Sequence, residues 1–162
     1  MKITVDAEFD FGNRVKSTQG IDEGLPKILS LLDEYNIKGI FFIAPELQNL
    51  SVAIAKRGHQ IGLHPKQGDI VGQGYKYIRG HKFWKFPDWK NYLPYSSSDH
   101  STSLLMNMWN IQYLQDIFYL HPFDIVKPKT KPPNLFCKLW YSQPERAYET
   151  LKNIIAKSAE RK

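Results

Sequence analysis

The chain has 162 residues, 42% of them hydrophobic, with one cysteine and a formal net charge of +6 at pH 7, a length that suits a single domain over 1–162 built on one sizeable core. Cys137 has no second cysteine to pair with, which excludes a disulfide scaffold and a zinc finger. No stretch is apolar enough to span a bilayer and the chain opens directly into MKITVDAEF, so a soluble cytoplasmic protein is expected, with its scattered Lys and Arg as compatible with an acidic or phosphorylated substrate as with nucleic acid.

Residues Lys2 to Phe9 alternate Ile3, Val5, Ala7 and Phe9 with Lys2, Thr4, Asp6 and Glu8, the period-two pattern of a strand with one polar face that ends on acids. From Asp22 to Tyr35, Leu25, Ile28, Leu29, Leu31 and Leu32 fall at helical spacing, with Asp22 and Glu23 at the positive end of the dipole. The run KGIFFIA over Lys38 to Ala44 predicts a strand buried on both faces and hence parallel pairing. A helix over Glu46 to Lys56, closed by Gly58, and a strand over Gln60 to His64, ended by Pro65, complete a β-α-β-α-β rhythm.

The glycine-rich stretch 68–74 and the mixed stretch 83–98 read as loops around short strands. Ile117 to Val126 returns to a strand that Pro122 breaks or confines to an end, and KPKTKPPN over 127–134 is a connector that cannot continue a helix. The last helix begins near Gln143, with Pro144 in its first turn and Ala147, Tyr148, Leu151, Ile154 and Ile155 on one face.

Asp6 and Glu8 close the first strand, His64 the third, and His121 lies in the last. In parallel α/β folds the carboxyl ends of the strands form the ligand-binding rim, so the four can share a pocket. Two acids with imidazoles suit zinc, which polarises a carbonyl and lowers the pKa of a water. Each of the four, taken singly, also suits a solvated or packed structural position. His59 reads as a packing or capping residue, and His100 as an exposed loop residue. Trp84, Trp89 and Tyr92 have the chemistry of a platform for a sugar ring, and equally of core packing.

Three phrases, ITVDAEFD, LLDEYNIKGIFFIAPE and KRGHQIGLHP, occur in order over roughly the first 65 residues. Together they resemble the polysaccharide deacetylase family, carbohydrate esterase family four. The resemblance implies an α/β fold of the family's type, a distorted and here shortened β/α barrel. It implies a metal-dependent hydrolase that removes an N-acetyl or related N-acyl group from a sugar or polysaccharide, with Asp6 as general base and Glu8 and His64 as ligands of a divalent metal, zinc by expectation. The family's second ligand histidine would fall at Gly68, so Asp69, His81 or a substrate group fills the gap, or metal binding is lost.

Wording of the GLHP type resembles a branch associated with surface polysaccharide biosynthesis. Ile78, Arg79, Gly80 and His81 resemble the family's arginine motif, which assigns Arg79 to orienting Asp6 and has proline where this chain has His81; His81 and, by their aromatic chemistry, Trp84 and Trp89 are the expected substrate contacts. YLHP at 119–122 resembles the late motif whose histidine protonates the leaving amine, the role implied for His121. A catalytically degenerate carbohydrate-binding or regulatory protein is the alternative, with Gly68 its basis. Nucleic-acid binding comes third and rests on charge and aromatics alone.

Overall fold

The computed structural model describes residues 2–65, 78–79, 92–93, 101–108 and 117–160, with the backbone alone at 78–79, 92–93, 101–103 and 106–107. Strand β1 (Lys2–Ala7) is shorter than its alternating pattern, because Glu8 and Phe9 leave the ladder to enter a short helical turn, α1 (Asp10–Asn13). Its polar face is not solvated, contrary to the alternation: every residue from Ile3 to Ala7 is buried. Thr4 satisfies its hydroxyl by donating to the Phe118 carbonyl at 3.3 Å. A strand in the middle of a parallel sheet is covered on both faces whatever its pattern.

A π-helical turn over Gly20–Gly24 leads into α2 (Leu25–Glu34), whose buried side is Leu25, Ile28, Leu29, Leu31 and Leu32 as the spacing predicts. Strand β2 (Ile40–Ile43) is wholly buried. The expected single helix over 46–56 is divided into a 3-10 turn, Pro45–Leu50, and α3 (Ser51–Lys56), and Gly58 closes it at φ +82°. Then come β3 (Gln60–Leu63), β4 (Ile78–Arg79), β5 (Tyr92–Leu93), β6 (Ser101–Ser103), α4 (Leu104–Met108) and β7 (Ile117–Leu120). Pro122 does end β7, and residues 122–125 form a 3-10 turn in place of further strand. The connector at 127–134 is followed first by a helix that the sequence did not signal, α5 (Leu135–Trp140), and then by α6 (Pro144–Ala159).

Among the described residues all strand pairs are parallel, in the order β5-β4-β3-β2-β1-β7-β6. The fold is therefore α/β, with β3, β2, β1 and β7 as the middle of the sheet and strands of two or three residues continuing it on both sides. Successive side chains alternate between the faces. One face carries Ile3, Val5, Ala7, Phe41, Ile43, Phe118 and Leu120 into the main core, where the helices pack. The other carries a small apolar cluster, Ile40 and Phe42 with Ile117 against them. Register puts Thr4 opposite Ile40 and Asp6 opposite Phe42, so Asp6 rises from this second face.

Two tight contacts fix the ends of the strands. A Cβ on Gly24 would lie 1.9 Å from the Pro122 carbonyl oxygen, and one on Gly20 would lie 2.7 Å from the Phe123 nitrogen, so only glycine lets the 20–24 turn press on the 122–125 turn. The buried Asp10 carboxylate accepts from the backbone N–H groups of Gln19 and Gly20 at 3.0 and 2.9 Å, tying the loop after β1 to the same turn. Burial nevertheless pushes the Asp10 carboxyl above its usual range.

His59 packs, as its sequence position implies. Its Nδ1 accepts from the Gly39 N–H at 3.2 Å and its ring lies 4.9 Å from that of Phe41. Burial, aided by Lys38, pulls its pKa below the ordinary 6.5 despite Asp33 nearby. The folded state thus prefers neutral His59, and the stability this gives is present above pH 6.5 and lost as pH falls below it. The loss of melting temperature between pH 7 and 5 is expected to be smaller in His59→Gln than in the parent, read by circular dichroism.

Candidate active site

Register brings the chemistry-bearing residues to one end of the sheet. Leu120 pairs with Val5, so the next residue, His121, stands beside Asp6. Leu63 pairs with Ile43, which pairs with Ala7, and the His64 N–H continues the ladder to the Ile43 carbonyl at 3.0 Å. Asp6, Glu8 and His64 are buried at 2%, 7% and 6% exposure, whereas the His121 side chain keeps 23%. Of the four, His121 is the most exposed.

His64 Nε2 lies 3.6 Å from Glu8 Oε2 and 3.8 Å from Asp6 Oδ2. His121 Nε2 lies 3.2 Å from Glu8 Oε1 and 3.8 Å from Asp6 Oδ2. Two carboxylates in a poorly solvated place repel one another, and two imidazoles aimed between them are the natural compensation. The four residues grouped from the sequence are thus together in space.

Two further residues shape the site without having been singled out. Asp124 accepts from the His121 backbone N–H at 2.8 Å and holds its carboxylate 3.6 Å from His121 Nδ1. Burial opposes a charge on His121, but Asp124 and Glu8 outweigh it and hold the imidazolium well above the ordinary range. Its sequence signal is an acid at the third position of a turn opened by Pro122, where a carboxylate reaches back to the N-cap backbone.

Asn13 is the other. Its Nδ2 donates to Glu8 Oε2 at 2.6 Å while its Oδ1 accepts from the Phe9 N–H at 3.0 Å. It does so from φ +62°, after Phe11 at +56° and Gly12 at +67°. Two non-glycine residues in the left-handed region cost roughly 1–2 kcal/mol each. Phe11 is held there by Phe123 and Tyr141, with ring centroids at 4.5 and 5.2 Å. A Gly-Asn pair just after a strand that ends on acids is the cue for such a turn.

Arg79 lies in β4, whose backbone joins β3 and β5, and its side chain is not described. Asp69, His81, Trp84 and Trp89 fall outside the described residues, as does Gly68. Among the described residues no three His, Cys, Asp or Glu side chains are already set as a cage for a metal ion. The donor chemistry is nonetheless of the right kind. Donors about 2.0–2.1 Å from a tetrahedral zinc stand roughly 3.4 Å apart, within the 3.2 to 3.8 Å spanned by these contacts. The far nitrogen of His64, Nδ1, is buried with no hydrogen-bond partner among the described residues.

No family model, no curated protein and no solved structure matches the chain. The site therefore rests on its own geometry and on the wording of its sequence.

Asn13→Ala is expected to lower the unfolding free energy by about 2–4 kcal/mol, from a hydrogen bond to a buried carboxylate and the left-handed backbone together. Urea denaturation checks it, with Asn13→Gly recovering the backbone part alone. In an NMR titration, His121 is expected to lose its proton at a midpoint above 6.5, and Asp124→Asn to shift that midpoint downward.

Proposed function

We propose that the protein is a metal-dependent amidohydrolase that removes an N-acetyl or related N-acyl group from a sugar or polysaccharide. The observation that carries this reading is the meeting of Asp6, Glu8, His64 and His121 at the carboxyl ends of β1, β3 and β7, parallel strands of one sheet with β2 between β1 and β3. It has the support of the three phrases that resemble the polysaccharide deacetylase family, since these contain Asp6, Glu8 and His64. An α/β sheet of parallel strands is compatible with that family's β/α barrel, and a shortened barrel belongs to the same proposal.

Glu8 and His64 would hold a divalent metal, with zinc the best match to a carboxylate and imidazole donors, and Asp69 is the candidate for a further ligand. When bound, the metal would supply polarisation of the acyl carbonyl and a water of lowered pKa. Asp6 takes the proton from the attacking water, a role for which its rigid position in β1 and its distance from bulk solvent suit it. His121 gives a proton to the departing amine. Its partial exposure faces it to an incoming substrate, and Asp124 keeps it charged until the transfer. Asn13 orients Glu8 by donating to one of its oxygens, which fixes the other oxygen's direction. Arg79 would orient Asp6, and His81, Trp84 and Trp89 would contact the sugar.

Metal content after zinc exchange and acetate release from N-acetylated sugars test the proposal together. The parent is expected to bind zinc tightly and Glu8→Ala and His64→Ala to lose it. Asp6→Asn and His121→Ala should keep the metal and lose about 10²–10⁴-fold in kcat, the usual contribution of a positioned acid or base. A parent that binds no divalent metal specifically would defeat the hydrolase, and a carbohydrate-binding protein on the same scaffold would take its place.

A further inference from the structure

Helix α5 wears its apolar side chains on the outside. Leu135, Phe136 and Leu139 are 69%, 60% and 61% exposed, at spacings that place them on one side of the helix. Trp140 stacks on Phe136 with centroids 5.2 Å apart and is itself half-buried, so the face is extended by a second ring. The helix is pinned from its other side. Cys137 is fully buried, and Tyr141 packs on Phe11 and Phe123. Asn134 caps the first turn by accepting from the Cys137 N–H at 2.8 Å.

The segment that carries this face has charges of one sign. Between 127 and 143 the sequence holds Lys127, Lys129, Lys131 and Lys138 and no Asp or Glu. All four lysines are exposed, Lys129 also resting on Glu23. Exposed hydrophobic residues scattered singly are ordinary in a folded protein, but three together with an aromatic stack, in a segment whose charges are all cationic, need an explanation.

We propose that α5 and the proline-rich segment before it seat the protein on an anionic membrane surface. The face is a protruding helix side, and no described helix is long and apolar enough to cross a bilayer, so the attachment is to one leaflet. Leu135, Phe136 and Leu139 enter the boundary between headgroups and acyl chains, and Trp140 sits at headgroup depth, where an amphipathic ring is favoured. The lysines lie on anionic headgroups, their apolar stems following the helix inward. A second copy of the chain would meet the face with the same four lysines and a net charge of +6 of its own, which disfavours pairing. An anionic bilayer offers apolar depth and negative charge in a single plane. The inference is independent of the reaction proposed above.

Co-sedimentation of the intact protein with vesicles tests it, using phosphatidylcholine alone and phosphatidylcholine mixed with phosphatidylglycerol. The parent is expected to pellet with the mixed vesicles at low salt, to be released at high salt, and to ignore the neutral ones. Combined Leu135→Ser, Phe136→Ser and Leu139→Ser, whose thermal melt should match the parent's because the three side chains are exposed, is expected to weaken binding at least about tenfold. Combined Lys127→Glu, Lys131→Glu and Lys138→Glu should abolish the preference for anionic lipid. A parent that stays in the supernatant with both vesicle types overturns the proposal. So does a serine variant that binds as tightly as the parent, and so does a concentration-dependent dimer that the serine variant abolishes while vesicles bind neither protein.

Discussion

Placing two carboxylates at and just beyond the buried end of an interior strand, β1, is the constraint around which the rest of the site is arranged. Asp6 near the end of β1 and Glu8 just beyond the strand both meet the two histidines, and little water reaches either acid. In such a medium their repulsion is only weakly screened, so other strands of the sheet must bring compensation to the same height. They do so by register. Single residues following β3 and β7 deliver imidazole nitrogens within 4 Å of both acids. Slipping either strand by one residue would turn its histidine to the opposite face and leave the acids against apolar side chains.

The register is in turn held from outside the sheet. The Asp10 carboxylate, the glycines at 20 and 24, and the rings of Phe11, Phe123 and Tyr141 join the loop after β1 to the turn after β7. The same joint supports the left-handed backbone from Phe11 to Asn13, through which Asn13 reaches Glu8. Backbone strain of this kind persists only where the surroundings over-determine it, and here an aromatic cluster does so. The site's geometry is therefore a property of two loops and a sheet acting together.

Much of this was legible in the sequence where the pattern had a single physical meaning. The apolar run of β2, the 3.6-residue spacing of α2 and α6, and the strand-end positions of Asp6, Glu8, His64 and His121 all led to what is observed. Alternation misled in β1, since period two reports side-chain direction but not what covers the second face. Helix α5 was missed because prolines precede it and its apolar residues point outward, so no inward stripe exists to be read. Asp124 and Asn13 act through short-range backbone geometry, which periodicity does not encode.

The hydrogen bond from Thr4 to Phe118 spans 114 positions of chain, and the β1 to β7 pairing spans a similar distance. During synthesis, β1, β2 and β3 leave the ribosome before β7 and can pair through short crossovers, bringing Asp6, Glu8 and His64 together. The opposite side of β1 has no partner until the segment containing β7 emerges, and until then that edge is an unpaired template for other strands. His121 and Asp124 arrive with the segment that closes this edge. Completion of the acid–imidazole cluster and protection of the open side of β1 are thus a single event in the life of each newly made chain.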